Sequence, residues 1–480
     1  MPKEFSIAMP QSVGDVLRGH LIRDDYEEDL SFALWTPSYG SNRLTALIHS
    51  PILPTEGDRQ RHGNASFNPQ YFERVCSLAL REAAGIAFLH SHPGSGWQDM
   101  SRDDLNAELK LSGATMGLTD LPLVGLTVGH DGTWSGRFWT HVHAKGYERK
   151  WCRNVRVVGG RLQAFFSDQL APKPEFRNLF KRTVTVWGEE NHANLARLRI
   201  GIVGLGSVGS MVAESLARMG FENFVLLDFD EVQPHNLDRL LGAMEKDIGK
   251  LKIDVAERQI RRSATARHPV IAKIPFSIAE EPGYRAGLDC DVLFSCVDRP
   301  RPRYILNHFA YSHLIPVIDG GVAVRFKGGE FSGVDWQLQT VGPDHPCLSC
   351  LGAFDMGDVA TEVEGKLDDP SYLQGLANDH RFKRNENVFP FSSNLASLEV
   401  LQLISLSTGI AGISDFGVQR FRYLPGILDA DTERTCLRDC EFTSMIAQGD
   451  RHFALFGRDI GAELARARQT SNKSKSKRSA

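Results

Sequence analysis

Apolar and polar positions alternate in two regimes along the chain. In the first, short apolar runs of strand composition recur at SFALW (31–35), LTALIHS (44–50), GIAFLHSH (85–92) and LPLVGLTVG (121–129). Between them, FNPQYFERVCSLALREA (67–83) spaces its apolar residues at helical intervals and follows a proline near its start. SRDDLNAELKLS (101–112) opens on Ser101, a good N-cap, with acids in the first turn. This mixture predicts one α/β unit over residues 1–150. Residues 151–179, with Gly159-Gly160 and the APKP stretch, read as a connector.

The second regime starts at LRIGIVGLGSVGS (198–210), an apolar strand running into a glycine turn. VAESLARMG (212–220) follows as a helix with a glycine stop. FVLLDFD (224–230), DVLFSCVD (291–298) and IPVIDGG (315–321) are further buried strands. Strand and helix alternate, which predicts a Rossmann-like, doubly wound parallel sheet over residues 180–445. A C-terminal helix over 446–469 and a disordered, basic tail over 470–480 complete the expectation. The fold class is α/β throughout, and no internal repeat is visible.

Composition narrows the function. The chain has 480 residues, 42% hydrophobic and 24% charged, with a formal net charge of -4. Nothing in that balance argues for a bulk nucleic-acid or membrane surface. No apolar run approaches the ~20 residues that span a bilayer, and the N-terminus lacks the apolar core of a signal peptide. A cytoplasmic location is the expectation. Of 8 cysteines, Cys76, Cys152, Cys290 and Cys296 are scattered and read as core thiols. Cys347/Cys350 and Cys436/Cys440 form two close pairs with the spacing of a structural Cys₄ zinc site.

Two constellations carry chemistry. The first is His90-Ser91-His92-Pro93-Gly94, followed by Ser101 and Asp104. Alternate strand residues share a face, so His90 and His92 can ligate one ion. With Asp104 they make a three-ligand zinc site that keeps a position open for water, whose pKa zinc lowers toward ~7. This run resembles the JAMM (JAB/MPN) metalloprotease family, whose pattern is His-x-His-Pro followed by Ser-x-x-Asp. The gap after His92 is one residue longer than in many members, which leaves Asp103 as an alternative to Asp104. The resemblance implies that Ser101 stabilises the tetrahedral oxyanion and that an upstream glutamate is the general base. In Tyr26-Glu27-Glu28-Asp29 that glutamate is Glu28, with Glu27 the alternative.

The second constellation begins with Gly204-Leu205-Gly206-Ser207-Val208-Gly209, a GxGxxG turn between strand and helix. Its glycines admit a nucleotide and its helix N-terminus favours phosphate. Asp228, ending the next strand, can bind ribose hydroxyls. To this point an NAD-dependent dehydrogenase fits as well as an ATP enzyme. The residues that follow are His235-Asn236-Leu237-Asp238-Arg239, Gly249-Lys250-Leu251-Lys252 and Cys296-Val297-Asp298. A triphosphate needs such cations, and Mg²⁺ needs such a carboxylate.

This order resembles the ubiquitin-activating superfamily, which includes the bacterial ThiF, MoeB and HesA enzymes. The resemblance implies that Asn236, Arg239 and Lys252 contact the phosphates of ATP and that Asp298 serves Mg²⁺. It also implies a substrate, the C-terminal carboxylate of a ubiquitin-like or sulfur-carrier β-grasp protein, and a homodimer. Relatives often add an arginine from near the domain start, often donated by the other subunit of a dimer, and the candidate here is Arg182. Relatives that form a thioester carry a cysteine after the first zinc pair. This chain has none from 351 to 435, so transfer to a partner such as a conjugating enzyme ranks above an ester on Ser371, Ser392 or Ser393. The joint expectation is a zinc-dependent peptidase fused to an adenylyltransferase. The rivals are sulfur-carrier activation for cofactor or amino-acid biosynthesis, and a working peptidase carrying an inactive adenylation scaffold.

Overall fold

Strand-forming runs in the first regime pair as expected, but the sheet they build reaches past residue 150. The computed structural model describes residues 2–478 apart from 63, 144–145, 176–177, 328–329, 377–386 and 410–416. The chain divides into two compact units. One comprises Met1–Lys173, Tyr311–Leu314 and Ser444–Phe453, and the other comprises Pro174–Ala310, Ile315–Thr443 and Ala454–Ala480.

The first unit contains β1 (Glu4–Pro10), β2 (Leu30–Tyr39), β3 (Arg43–Ile52), β4 (Arg59–His62), β5 (Asn64–Phe67) and β6 (Gly85–His92). It continues with β7 (Leu123–Gly129), β8 (Trp134–His143), β9 (Gly146–Trp151), β10 (Asn154–Val158) and β11 (Leu162–Phe166). Nine of these form one sheet in the order β11-β10-β1-β3-β2-β6-β7-β8-β9, and β4-β5 is a separate hairpin. The period of two sorts side chains to opposite faces. Phe32, Leu34, Ile86 and Phe88 pack against the helix Pro69–Glu82, whereas Ala33, Trp35, Ala87 and Leu89 pack with Val13 and Leu17 of the helix Gln11–Leu21.

The connector expected at 151–179 is not one over its first half. Val155 and Val157 are buried, and β10 pairs in parallel with β1. Gly159-Gly160 turns the chain from β10 into its antiparallel partner β11. The glycines therefore mark a hairpin inside the sheet.

The second unit holds β12 (Arg199–Val203), β13 (Asn223–Leu227), β14 (Val270–Ile274), β15 (Val292–Ser295) and β16 (Val317–Lys327). They are followed by β17 (Glu330–Val341), β18 (Val418–Arg422) and β19 (Ile427–Asp431). The order is β14-β13-β12-β15-β16-β17-β18-β19. The first five strands are parallel, in the doubly wound order, and the last three are an antiparallel extension. The sequence expectation covered only the parallel half. In β17, Val334, Trp336 and Leu338 alternate onto one buried face, as antiparallel strands with one covered side do.

The C-terminal helix runs over Ile460–Arg478 instead of 446–469, and so includes most of the segment expected to be a disordered tail. Residues 446–453 belong to the first unit. Asp459 Oδ1 accepts from the Ala462 N–H at 3.0 Å and so starts the helix there. Among the described residues, no helix is long and apolar enough to cross a membrane.

Candidate metal and nucleotide sites

The end of β6 places His90 and His92 on one side of the strand. Their Nε2 atoms lie 3.2 Å apart. The helix Arg102–Thr119 brings Asp104 to them, with Oδ1 3.5 Å from His90 Nε2 and Oδ2 3.3 Å from His92 Nε2. One donor atom from each of the three residues lies within 4.8 Å of the others, a spacing that suits a single tetrahedral ion. Asp103 is exposed and outside this cluster.

Asp104 has a second task. With Ser101 it forms a capping box: Ser101 Oγ accepts the Asp104 N–H at 3.1 Å, and Asp104 Oδ2 accepts the Ser101 N–H at 2.8 Å. The cap fixes the carboxylate and leaves the Ser101 hydroxyl proton free to donate. Burial alone would raise the Asp104 pKa. Hydrogen bonds from His90 and His92 outweigh it and hold the carboxyl well below the usual carboxylate range. Burial holds His90 below its ordinary value, in the neutral form that ligates a metal. Glu28 Oε1 stands 4.0 Å from His92 Nε2, and burial raises its pKa, as suits a proton acceptor. Glu27 is exposed.

Residues that the sequence did not flag lie beneath these ligands. Thr127 Oγ1 is 3.3 Å from His90 Nε2 and accepts a hydrogen bond from Arg137 Nη1 at 2.8 Å. Arg137 and Glu108 are both fully buried and form a two-pronged ion pair, to which Trp139 Nε1 adds a 2.6 Å hydrogen bond. Removing one partner leaves a buried charge uncompensated. Arg137→Met is therefore expected to destabilise the first unit by about 3–5 kcal/mol, measured by urea denaturation. Glu108 and Arg137 occupy positions that read as ordinary charges in an amphipathic helix and a strand, and no local spacing links them.

In the second unit, the glycine turn after β12 opens onto a cavity of about 910 Å³. Gly204, Gly206, Asp228, Asn236, Arg239, Lys252 and Asp298 all line it. Gly209 does not; a Cβ there would lie 2.0 Å from the Gly204 carbonyl oxygen, so it serves close packing of helix on turn. Gly204 has a φ of +87°, which favours glycine. Asp228 is fixed by two backbone donors, Leu205 N–H at 2.6 Å and Asp230 N–H at 2.8 Å. Lys252 Nζ pairs with Asp230 at 2.8 Å. Burial would lower the lysine's pKa, but Asp228 and Asp230 raise it, so it stays charged. Arg182, in the helix Lys181–Trp187, does not line the cavity.

Glu362, which also lines the cavity, is 8% exposed and accepts the Arg301 N–H at 2.8 Å. Burial pushes its pKa up to about 7 from 4.5. The folded chain thus binds a proton that the unfolded chain has lost, and stability falls as pH rises through that window. Glu362→Gln, which cannot ionise, is expected to be more stable than the parent chain at pH 8 by at most ~3 kcal/mol, and nearly equal at pH 4.5. Urea denaturation at the two pH values measures this.

Cys347, Cys350, Cys436 and Cys440 offer Sγ atoms that all lie within 4.8 Å of one another. Backbone N–H groups of Cys347 and Cys350 donate to Cys436 Sγ and Cys347 Sγ at 3.2 and 3.3 Å. Such a donor set fits a closed structural zinc site. Cys296 lines this cavity, but burial pushes its thiol well up, and Cys152 is raised by burial in the same way. Neither is a ready nucleophile. Ser371 is exposed and donates to Asp369 Oδ1 at 2.8 Å, and the buried Ser392 donates to Asn387 Oδ1 at 2.9 Å.

Comparison with known proteins places the second constellation in context. Residues 180–420 match the model described as the ThiF family. The SAMP-activating enzyme E1 of Haloferax volcanii is 30% identical over 166 residues, 34% of this chain and 57% of that protein. The molybdopterin-synthase adenylyltransferase of Escherichia coli is 30% identical over 168 residues, 35% of this chain and 63% of that protein. This chain thus spans about three fifths of the length of these relatives. A crystal structure of E. coli MccB with MccA-N7isoASN aligns at a TM-score of 0.43 and 16% identity, covering 56% of this chain and 75% of that one.

Proposed function

The chain belongs to the ThiF family, and from that premise we propose that its second unit uses ATP to adenylate the C-terminal carboxylate of a β-grasp protein of the ubiquitin-like or sulfur-carrier kind. The observation that carries this reading is the single cavity lined by Asp228, Asn236, Arg239, Lys252 and Asp298 beside the glycine turn. The cavity's volume suits a nucleotide with part of a peptide tail. Asp228 accepts from a ribose hydroxyl, while Asn236, Arg239 and Lys252 bind phosphate oxygens. The carboxylate of the partner attacks the α-phosphorus, the bond to the bridging oxygen breaks, and pyrophosphate leaves with its charge held by these cations. Asp298 would hold Mg²⁺, which supplies further charge neutralisation. With no cysteine from 351 to 435, the adenylate is passed to a nucleophile outside that loop, on a conjugating enzyme or on the final acceptor.

For the first unit we propose zinc-dependent cleavage at the C-terminus of the same partner, either to expose its reactive glycine or to remove it from conjugates. The support is the donor set of His90, His92 and Asp104 with Glu28 beside it. A zinc ion held there supplies a Lewis acid and an acidified water. Glu28 takes the proton of the attacking water on a carboxylate oxygen and returns it to the leaving amine. Ser101 donates its hydroxyl proton to the developing oxyanion. The Cys₄ set would hold a second, structural zinc, and the protein is proposed to act as a homodimer.

ATP–pyrophosphate exchange with candidate β-grasp proteins tests the second unit, with intact-mass detection of the adenylate. Exchange that depends on a partner with a free C-terminus is the expected result. Thermal protection by NADH but not by ATP would sink the assignment.

A further inference from the structure

The helix Ile460–Arg478 lies beyond the ThiF-matched residues 180–420, yet three of its residues, Gly461, Ala465 and Arg468, line the nucleotide cavity. Their spacing of four and then three puts them on one face of the helix. Two are small and leave the cavity open, and the third is a cation.

The adjoining face holds the helix in place. Ala462 is fully buried. Arg466 Nη1 pairs with Glu280 Oε2 at 2.8 Å, and Gln469 Nε2 donates to the Phe229 carbonyl at 2.9 Å, one residue after Asp228. The approach to the helix is pinned as well. The buried Arg301 guanidinium donates to the carbonyls of Phe456, Gly457 and Arg458, the last two at 3.2 and 2.7 Å.

Charge singles out Arg468. Arg239 pairs with Asp238 at 2.9 Å, Lys252 with Asp230 at 2.8 Å, Arg299 with Asp368 at 2.7 Å and Arg303 with Asp319 at 3.3 Å. Arg468 lines the same cavity and has no hydrogen-bond or ion-pair partner among the described residues. Seven carboxylates line the cavity against five Lys and Arg side chains. Among the described residues that line it, one arginine or lysine alone has a charge not already engaged.

We propose that the helix Ile460–Arg478 forms a wall of the nucleotide cavity and that Arg468, supplied by the chain to its own site, binds the phosphates of a nucleoside triphosphate. The inference rests on the nucleotide reading of the cavity above. A guanidinium offers several donors in a fixed fork suited to phosphate oxygens. The small side chain at 465 is required because a larger one would occupy the space of the ligand.

The test is calorimetric binding of Mg·ATP and of adenosine to the full chain and to Arg468→Ala, Arg468→Lys and Ala465→Leu. Arg468→Ala is expected to weaken ATP by about tenfold or more and to leave adenosine unchanged, with Arg468→Lys in between. Ala465→Leu is expected to weaken both ligands. Equal weakening of ATP and adenosine by Arg468→Ala would overturn the phosphate contact. ATP binding indifferent to Arg468→Ala and Ala465→Leu would overturn the wall itself. Failure of the unchanged chain to bind either ligand would remove the nucleotide reading, and this inference with it.

Discussion

Asp104→Asn is expected to cost the first unit its metal and to abolish cleavage, while leaving the fold intact. The carboxylate faces both histidines and also caps its own helix. Asparagine keeps an oxygen that accepts the Ser101 N–H, so the cap survives. It loses the negative charge that two neutral imidazoles cannot supply. Changing a group that merely orients a ligand already costs about 10–100-fold in affinity, and loss of an anionic ligand costs at least about that much. Zinc per chain after desalting should fall from two ions to one, the remaining ion belonging to the cysteine site. Thermal melting should move little. A variant that retains two zinc ions, or still cleaves a β-grasp fusion, would remove the hydrolase proposal.

The second large effect is expected from Lys252→Met. Lys252 compensates Asp228 and Asp230 and faces the cavity where the triphosphate is proposed to sit. Without the ammonium, the two carboxylates repel each other and any phosphate brought near them. Both losses act in the transition state, where charge shifts to the leaving pyrophosphate. Pyrophosphate exchange should fall by about 10³-fold, the size seen for loss of one preorganised electrostatic group, and Lys252→Arg should recover part of it. Zinc content should stay at two. Exchange within tenfold of the parent chain would show that Lys252 is not a phosphate ligand.

What the sequence reveals depends on whether a signal is local. His90 and His92 are two residues apart on an apolar strand, so their shared side follows from the pleat alone. The gap between His92 and Asp104 left two candidate acids, and the capping box decides which one turns inward. Glycine at 204, 206 and 209 is legible as a turn, although only the geometry separates the two that line the cavity from the one that packs. Glu108 and Arg137 meet across the tertiary fold, and neither carries a mark of its partner. Gly159-Gly160 misled because a glycine pair suits a linker and a hairpin equally well. Arg468 was hidden in a run of Ala, Arg and Glu, where only the placement of the helix distinguishes one arginine from the next.

The thread of the first unit has a consequence for how the protein is made. β2 is complete within the first forty residues, yet Thr36 Oγ1 donates to the Ala447 carbonyl at 2.5 Å and the Tyr39 N–H donates to Asp450 at 2.8 Å. Chains emerge from the ribosome N-terminal end first. Those partners of β2 are therefore missing until nearly all of the message has been read. The first unit is therefore completed only after most of the second has been synthesised, and a nascent chain halted at Lys173 lacks both of these bonds to β2.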